Sequence, residues 1–341
     1  MKNLLPLLSF VLLAACVHAQ NYSGPESVEF YKPNHHYYIS NTQSHVILER
    51  DGAGTLSTFA SGLVNGPHGL EIINDTLYAC SGANLKAFQI PGGTLLYTVN
   101  TGATFLNGIT HDTSGNIFAT DFSGNKVYRI NTKTHLSNVF VTGLTLSPNG
   151  IVYDSIDNKL VMVNWGNNAP VIAISLQDSS TSTLTSTTLD NCDGIIMTSL
   201  GEFIISSWGQ NACNLFDHAF TSAMQTIVTG LHSPADLGYN NIGDTLAIPN
   251  SANNTIQFFA LHQPNNIEQI TQPQLQLQQS NHSIKVCGML SGYLVCLFDV
   301  NGRMIACTHL DSIALPSDIL LPMIVSVFDE KKNLLLSEKV M

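Results

Sequence analysis

The stretch Pro148-Asn149-Gly150-Ile151-Val152-Tyr153-Asp154 decides the fold, because its pattern recurs along the chain. Its first three residues are expected to form a turn that opens a short apolar strand. The same phrase occurs as Pro67-His68-Gly69-Leu70, Leu106-Asn107-Gly108-Ile109 and Cys192-Asp193-Gly194-Ile195, with weaker copies at Pro25-Glu26-Ser27-Val28 and Pro234-Ala235-Asp236-Leu237. The copies are 39 to 44 residues apart. A period near forty with four short strand-like runs per copy is typical of β-propeller blades, so six copies predict six blades.

The middle residues of the six copies form a candidate site, which we call the inner ring. They are Glu26, His68, Asn107, Asn149, Asp193 and Ala235. Because the first strand of each blade lines the central channel of a propeller, equivalent positions converge on one axis. Two carboxylates and two amide carbonyls are hard oxygen ligands that suit Ca²⁺, although another divalent metal is also compatible. The imidazole is a candidate for proton transfer. The alternative is that Asn, Asp and His simply tolerate turn conformations here.

Residues 1–19 have the features of a secretory signal peptide. Lys2 precedes an apolar run from Leu4 to Ala15, and Val17-His18-Ala19 is a small-residue cleavage signal. The run is too short to span a membrane. Leu13-Ala14-Ala15-Cys16 also resembles a bacterial lipoprotein box, which leaves lipid attachment at Cys16 open. No later segment is apolar enough to be a transmembrane segment, so the mature protein is predicted to be secreted or held at the cell surface.

The composition favours an exported β protein that does not bind nucleic acid. Only 11% of residues are charged, the net charge is −11, and the 13 basic residues form no cluster. A nucleic-acid-binding surface would need such a cluster. Six cysteines follow the signal peptide, three before residue 262 and three after it, and none forms a C-x-x-C pair. An odd number in each part favours buried small apolar side chains over a disulfide framework.

A change of composition divides the chain after the sixth copy of the phrase. Residues 20–261 carry the propeller pattern, residues 262–280 are rich in Gln, Asn and Pro and are predicted to be a linker, and residues 281–341 alternate like strands. The predicted fold class is therefore all-β, a six-bladed β-propeller followed by a small β-sandwich. A fourth strand of blade six is predicted near Ile267–Ile270.

The last sixty or so residues resemble the C-terminal sorting domain of type IX secretion. The motifs that carry the resemblance are Val295-Cys296-Leu297-Phe298-Asp299-Val300-Asn301-Gly302-Arg303-Met304-Ile305, Val325-Ser326-Val327-Phe328-Asp329 and the terminal Ser337-Glu338-Lys339-Val340. The resemblance implies that the type IX secretion machinery is a partner of this domain, and that it directs export across the outer membrane.

The propeller part resembles the calcium-dependent six-bladed propellers, which include the paraoxonase-like lactonases and the gluconolactonase/regucalcin-like group. The resemblance rests on Pro25-Glu26-Ser27-Val28, Pro67-His68-Gly69, Asn107, Asn149-Gly150-Ile151 and Asp193. It implies that the catalytic metal is held by Glu26, Asn107, Asn149 and Asp193, with His68 as the base. Phe105 departs from the regucalcin-like group, which carries an Arg there, and Ser27 departs from paraoxonases, which carry an Asp. The second calcium of paraoxonases therefore lacks ligands in this chain.

Two functions follow from these residues. The first is a calcium-dependent hydrolase, in which the metal polarises the carbonyl of a small lactone or ester and His68 activates water. The second is a non-catalytic, NHL-like propeller that serves as a binding or scaffold module at the cell surface. Other polar residues receive weaker predictions. Ser206-Ser207 lack a nucleophile elbow, Asp121 is expected to be a structural blade-corner residue, and Trp165 and Trp208 are expected to pack between blades rather than to form a substrate wall.

Overall fold

The structure, a computed structural model, describes residues 21–262, 276–280, 283–287, 293–299, 304–315, 323–328 and 334–340. Within these ranges every regular element is a β-strand, and none of them contains a helix that could span a membrane. The chain forms two compact units, one ending at Leu261 and the other beginning at His262. The predicted signal peptide and the predicted strand near Ile267–Ile270 lie outside the described residues.

Six antiparallel sheets follow one another between Pro25 and Ala260. Blade one contains Pro25–Tyr31 (β1), His36–Asn41 (β2), Val46–Arg50 (β3) and Leu56–Ser61 (β4). Blade two contains Leu70–Ile73 (β5), Thr76–Ser81 (β6), Asn84–Gln89 (β7) and Thr94–Asn100 (β8). Blade three contains Leu106–His111 (β9), Asn116–Asp121 (β10), Lys126–Asn131 (β11) and Ser137–Val141 (β12).

The other three blades complete the first unit. Blade four contains Ser147–Asp154 (β13), Lys159–Trp165 (β14), Val171–Ser175 (β15) and Thr181–Thr185 (β16). Blade five contains Cys192–Met197 (β17), Phe203–Ser207 (β18), Ala212–Phe216 (β19) and Gln225–Val228 (β20). Blade six contains Gly238–Asn240 (β21), Thr245–Asn250 (β22) and Thr255–Ala260 (β23), and so has three strands within the described residues.

The hydrophobic core of this unit lies between the blades. Six clusters of buried apolar side chains are each shared by two consecutive blades, and one of the six joins blade six to blade one. Strand β1 accordingly packs against β21 and β22. A closed ring of six sheets with a core between each pair is a six-bladed β-propeller, which confirms the predicted fold class.

The boundary between blades six and one, which we call the seam, combines a small apolar cluster with hydrogen bonds. Its apolar cluster is the smallest of the six and has four buried members, Val28, Tyr37, Ile39 and Ala247. The backbone N–H of Asp236 donates to the Glu26 carbonyl oxygen at 2.8 Å, and the Ser27 hydroxyl donates to the Asp236 carboxylate at 2.8 Å. These two bonds tie the first strand of blade one to the entry of blade six.

The glycine of the recurring phrase allows the inner strands to approach one another closely. A Cβ atom on Gly150 would lie 2.3 Å from the carbonyl oxygen of Asp193, and one on Gly108 would lie 2.3 Å from that of Asn149. Both distances are far shorter than real Cβ contacts. Neither residue has a positive φ, so the backbone conformation does not require glycine. Glycine is required because the neighbouring inner strands lie too close for a Cβ atom.

Gly150→Ala is expected to destabilise the propeller by about 1–3 kcal/mol, the usual cost of overpacking. The matched control is Gly52→Ala, because a Cβ atom on Gly52 meets nothing within 4 Å. That control is expected to change the free energy of unfolding by no more than about 0.5 kcal/mol. Denaturant unfolding of both variants checks this, and equal midpoints would show that the inner strands can separate at little cost.

The second unit is a small β-sandwich, as predicted. Its strands are Gln276–Gln279 (β24), Ser283–Cys287 (β25), Leu294–Asp299 (β26), Met304–Thr308 (β27), Ser312–Ala314 (β28), Met323–Phe328 (β29) and Leu334–Val340 (β30). They form a sheet of order β24-β25-β28 and a sheet of order β27-β26-β29-β30, and a shared apolar cluster lies between the two. Strand β24 lies within residues 262–280, which were predicted to be a linker. This segment forms a strand because its Gln/Leu alternation places Leu277 against the core.

The cysteines differ from the prediction in one place. Cys80, Cys192 and Cys213 are buried and free, as expected. Cys296 and Cys307, however, lie directly opposite each other on β26 and β27 and form a disulfide. The prediction of buried thiols is wrong for this pair, because an odd count per domain does not prevent two of the three from pairing.

Candidate functional site

The inner-ring residues of four blades lie in β-bulges rather than in turns. The register of the first two strands shifts between Pro25 and Val28, between Leu106 and Ile109, between Pro148 and Ile151 and between Cys192 and Ile195. The expected turn is therefore wrong in these blades, since the strand begins at the first residue of the phrase, or one residue before it in blade four, and continues through it. A bulge redirects a side chain locally, and bulges are frequent next to functional sites. The four bulged positions are the four predicted metal ligands, Glu26, Asn107, Asn149 and Asp193.

Hydroxyl groups on the second strands hold these bulges. The Thr120 hydroxyl accepts a hydrogen bond from the Gly108 N–H and donates one to the Asn149 carbonyl oxygen, both at 2.8 Å. Ser206 bonds in the same way to the Gly194 N–H at 2.7 Å and the Ala235 carbonyl oxygen at 2.8 Å. Because the Ser206 hydroxyl both accepts from and donates to the backbone, Ser206 has a structural role and is not a nucleophile.

Asp121 also has a structural role. Its carboxylate accepts hydrogen bonds from the backbone N–H groups of Thr104, Phe105 and Gly124. These bonds fasten the chain that enters blade three to the end of β10. This is the blade-corner function expected from the sequence.

Three members of the inner ring are joined by their side chains. The Asn107 amide donates to the Asn149 amide oxygen at 2.7 Å, and the Asn149 amide donates to the Cys192 carbonyl oxygen at 3.2 Å. Burial raises the pKa of Asp193, and the Trp208 indole and the Asn149 amide, which face its carboxylate, offset part of that rise. Residues from blades three, four and five are therefore in mutual contact at one level of the channel.

The fourth predicted ligand, Glu26, faces the same group from blade one. It is 8% exposed. Burial raises its pKa well above the usual range, and repulsion from the carboxylates of Asp193 and Asp236 raises it further. The pKa of Asp193 is raised to about 8, first by burial and then by the charge of Asp236. These carboxylates are close enough to repel one another, so a cation between them would favour their ionised forms.

Two buried oxygens of this group have no hydrogen-bond donor. They are Glu26 Oε2 and Asn107 Oδ1, and neither finds a partner among the described residues. A buried acceptor left without a partner costs about 1–3 kcal/mol, so such atoms call for an explanation. A bound cation supplies one, because both atoms are the kind of oxygen that Ca²⁺ accepts as a ligand. The residues present therefore fit the predicted metal.

His68 lies beside this group without bonding to it. Its backbone N–H donates to the Cys80 carbonyl oxygen at 2.9 Å, and its imidazole packs edge-on against Phe105 with 4.6 Å between ring centroids. Burial lowers the pKa of His68 to about 4. The imidazole is therefore neutral at pH 7, as a general base must be. No contact among the described residues joins it to the four oxygen-bearing side chains.

Asp236 is a member of the channel that the sequence pattern did not identify. It takes the place of the phrase glycine in blade six, and Ser27 takes that place in blade one. The Ser27 hydroxyl accepts from the Leu70 N–H at 3.1 Å and donates to Asp236, whose pKa is raised to about 7, mainly by burial. The sequence feature that could have identified Asp236 is an ionisable residue at a position where four of the six copies have glycine.

A cavity of about 520 Å³ lies at the other end of the inner strands. Among its lining residues are the carboxylates of Glu29, Glu71 and Asp236, and the His111 imidazole donates through Nδ1 to the Glu71 carboxylate at 2.9 Å. Burial, followed by repulsion from Glu71 and Asp236, raises the pKa of Glu29 well above its usual range. The channel is thus acidic at both ends, and this cavity is separate from the inner ring along the strands.

A second group with metal-ligand chemistry links blades four and five. Asp154, Asp157 and His218 place their ligand atoms within 4.8 Å of one another. The ammonium of Lys159, however, lies 2.7 Å from Asp157 and 3.5 Å from Asp154. A lysine already supplies the positive charge here, so the group is best described as an ion-pair network.

The fold is shared with solved propellers of several functions. Neither a protein-family model nor a curated protein matches the sequence. A gluconolactonase from Xanthomonas campestris is similar in structure, with a TM-score of 0.58 and 15% identity over 67% of this chain and 83% of that one. Virginiamycin B lyase from Staphylococcus aureus has a TM-score of 0.52 and 15% identity over 79% and 94% of the two chains. A chain of a nidogen/laminin complex has a TM-score of 0.55 and 15% identity over 66% and 94%. At these identities the likeness establishes the propeller fold alone.

Proposed function

We propose that the propeller is a Ca²⁺-dependent hydrolase of small lactones or esters. The observation that carries the proposal is the meeting of two carboxylates and two amides at four β-bulges, with two of their buried oxygens lacking any donor. Glu26 and Asp193 would supply the charge, and Asn107 and Asn149 neutral oxygens. Since Ca²⁺ takes six to eight oxygen ligands, four protein side chains leave room for substrate and water.

The residues of the site would share the catalytic work. Bound Ca²⁺ would polarise the substrate carbonyl and stabilise the negative charge that develops on its oxygen. His68 would accept the proton of the attacking water, since its buried imidazole is neutral above about pH 4. The hydrogen bond between Asn107 and Asn149 would keep two of the ligand groups in place before substrate arrives.

Purified protein is expected to bind one Ca²⁺ in the inner ring and to hydrolyse members of a lactone and aryl-ester panel. At a free Ca²⁺ concentration of 100 Kd, binding should stabilise the folded state by about 2.7 kcal/mol. Elemental analysis, thermal unfolding with Ca²⁺ or EDTA, and the panel together test the proposal. Ca²⁺ binding without hydrolysis of any panel member would favour the binding-module alternative, and no Ca²⁺ binding would remove the metal site.

We also propose that the protein is exported and that the second unit directs export through type IX secretion. Two observations support this. The unit has its own apolar core, and it holds a disulfide, a bond that persists in oxidising compartments outside the cytosol. A reporter placed between residues 1–19 and residues 263–341 is expected to reach the surface of a bacterium that has this secretion system. Retention of the reporter in the periplasm would contradict the proposal.

A further inference from the structure

One position of the blades divides the mouth of the channel into two unlike halves. It is the residue directly after the equivalent of Asp121 in the second strand of each blade. In chain order these residues are Thr42, Gly82, Phe122, Trp165, Trp208 and Ser251. Three contiguous blades, three to five, therefore carry an aromatic side chain here, and the other three carry a small one.

The aromatic side chains form one continuous series, which with Phe105 we call the aromatic arc. The ring centroids of Phe105 and Phe122 are 5.8 Å apart, those of Phe122 and Trp165 are 6.0 Å apart, and those of Trp165 and Trp208 are 5.2 Å apart. All three contacts are edge-to-face. Because the arc begins against the His68 imidazole, it runs from the proposed base around to blade five.

The arc lies at the inner-ring end of the channel. Trp165 pairs with Ser147 in the first two strands of blade four, two residues before Asn149. The backbone N–H of Phe122 donates to the Phe105 carbonyl oxygen, two residues before Asn107. The arc therefore sits just outside the level of the proposed metal ligands, where a bound substrate would project.

The arc joins neighbouring blades but is separate from the buried apolar clusters between them. All four side chains are only partly buried. None of them belongs to the clusters of buried apolar residues between the blades or to the side chains packed against those clusters. The indole N–H of Trp208 faces the Asp193 carboxylate. The arc thus presents apolar ring surface towards the site.

We propose that Phe122, Trp165 and Trp208 determine substrate specificity by binding an aromatic ring of the substrate. The substrate is then a lactone or ester that bears an aryl group near its carbonyl, held with that group on blades three to five. Edge-to-face packing gives such a ring a defined orientation. The other side of the mouth carries the small residues Thr42, Gly82 and Ser251. This inference rests on the proposed hydrolysis at the inner ring.

The first test compares γ-phenyl-γ-butyrolactone with γ-butyrolactone, two substrates with the same reacting ring. In the Phe122→Ala and Trp165→Ala variants, kcat/KM for the phenyl lactone is expected to fall about 10- to 100-fold, the worth of burying an aromatic group. The value for the parent lactone should change less than about threefold. Phe140→Ala is the matched control, since Phe140 is a partly buried phenylalanine of the same blade that packs on Phe118, away from the mouth. Equal losses for both lactones would overturn the proposal.

The second test does not need turnover. The chain has two tryptophans, and both lie in the arc. Titration with 5-phenyl-2-pyrrolidinone, a lactam that resists hydrolysis, is expected to change tryptophan emission in the parent protein, while 2-pyrrolidinone should not. In Phe122→Ala the apparent affinity for the phenyl lactam should fall at least tenfold.

The two tests separate this proposal from the hydrolase proposal. A phenyl-dependent change in emission without hydrolysis of either lactone would support the aromatic site and count against the hydrolase. Hydrolysis with no preference for the phenyl lactone and no change in emission would support the hydrolase and overturn the aromatic site.

Discussion

The His68→Gln variant is expected to lose roughly 10²–10⁴-fold in turnover while its affinity for Ca²⁺ stays unchanged. Glutamine keeps the size and polarity of the side chain but cannot accept a proton at neutral pH. Since no hydrogen bond within the described part of the chain joins His68 to the four oxygen-bearing residues, its replacement leaves the proposed ligands in place. Turnover of a reactive lactone at saturating Ca²⁺, with Ca²⁺ affinity measured by calorimetry, provides the check.

The pH dependence of the parent protein gives an independent measure of the same role. A base works in its deprotonated form, and burial lowers the pKa of His68 to about 4. Activity that depends on this base is therefore present above about pH 4 and lost as the pH falls through that value. At saturating Ca²⁺ the acid limb of kcat/KM should lie well below 6.5, the ordinary pKa of histidine. Full activity in His68→Gln would show that another group activates the water.

The Glu26→Gln variant is expected to lose the stabilisation that Ca²⁺ gives the parent protein. The substitution removes one of two ligand charges, and Ca²⁺ affinity should fall by at least about 10- to 100-fold, the loss seen even when supporting residues of metal sites are changed. Without Ca²⁺ the variant should be as stable as the parent or more stable, because a buried carboxylate that repels Asp193 has been neutralised. Thermal unfolding with EDTA and with Ca²⁺ measures both effects.

Glu29→Gln is the matched control for that variant. Glu29 lies three residues further along the same strand, also has a raised pKa, and lines the cavity at the other end of the channel. Its replacement should leave Ca²⁺ binding at the inner ring unchanged. If Glu26→Gln binds Ca²⁺ as the parent does, Glu26 is not a ligand. If Glu29→Gln loses binding instead, the cation belongs to the far cavity.

The spacing of one phrase was enough to predict six blades and the level of the candidate site. The glycine in that phrase reports the close approach of inner strands, which recurs in four of the six blades and so leaves a period in the sequence. The bulges were missed, because a bulge and a turn use similar residues and differ only in how the neighbouring strand pairs with them. Asp236 and Ser27 were missed for a related reason. Their hydrogen bond crosses the seam, and a pattern read along the chain does not show which positions meet when the ring closes.

The second unit shows the same limit. The alternation of its strands was visible, but the pairing of Cys296 with Cys307 depends on the register of β26 against β27. Register is set by the hydrophobic pattern of the two strands and by the geometry of the turn between them, and a count of cysteines contains neither. The aromatic arc is an intermediate case. Trp165 and Trp208 were expected to pack between blades, and their rings do meet across blades four and five, but the part of each ring left uncovered was not predictable.

The seam has a consequence for how the folded ring opens. It has the smallest apolar cluster of the six blade boundaries, and β1 reaches its partners in blade six only after some two hundred residues of intervening chain. Glu26 lies on β1 in blade one and Asp193 lies in blade five, so a cation bound by both would link these two blades on either side of blade six. Amide hydrogens of β1 and β21 should then exchange with solvent before those of the other inner strands when Ca²⁺ is withdrawn, and a protease that cleaves open chain should cut there first.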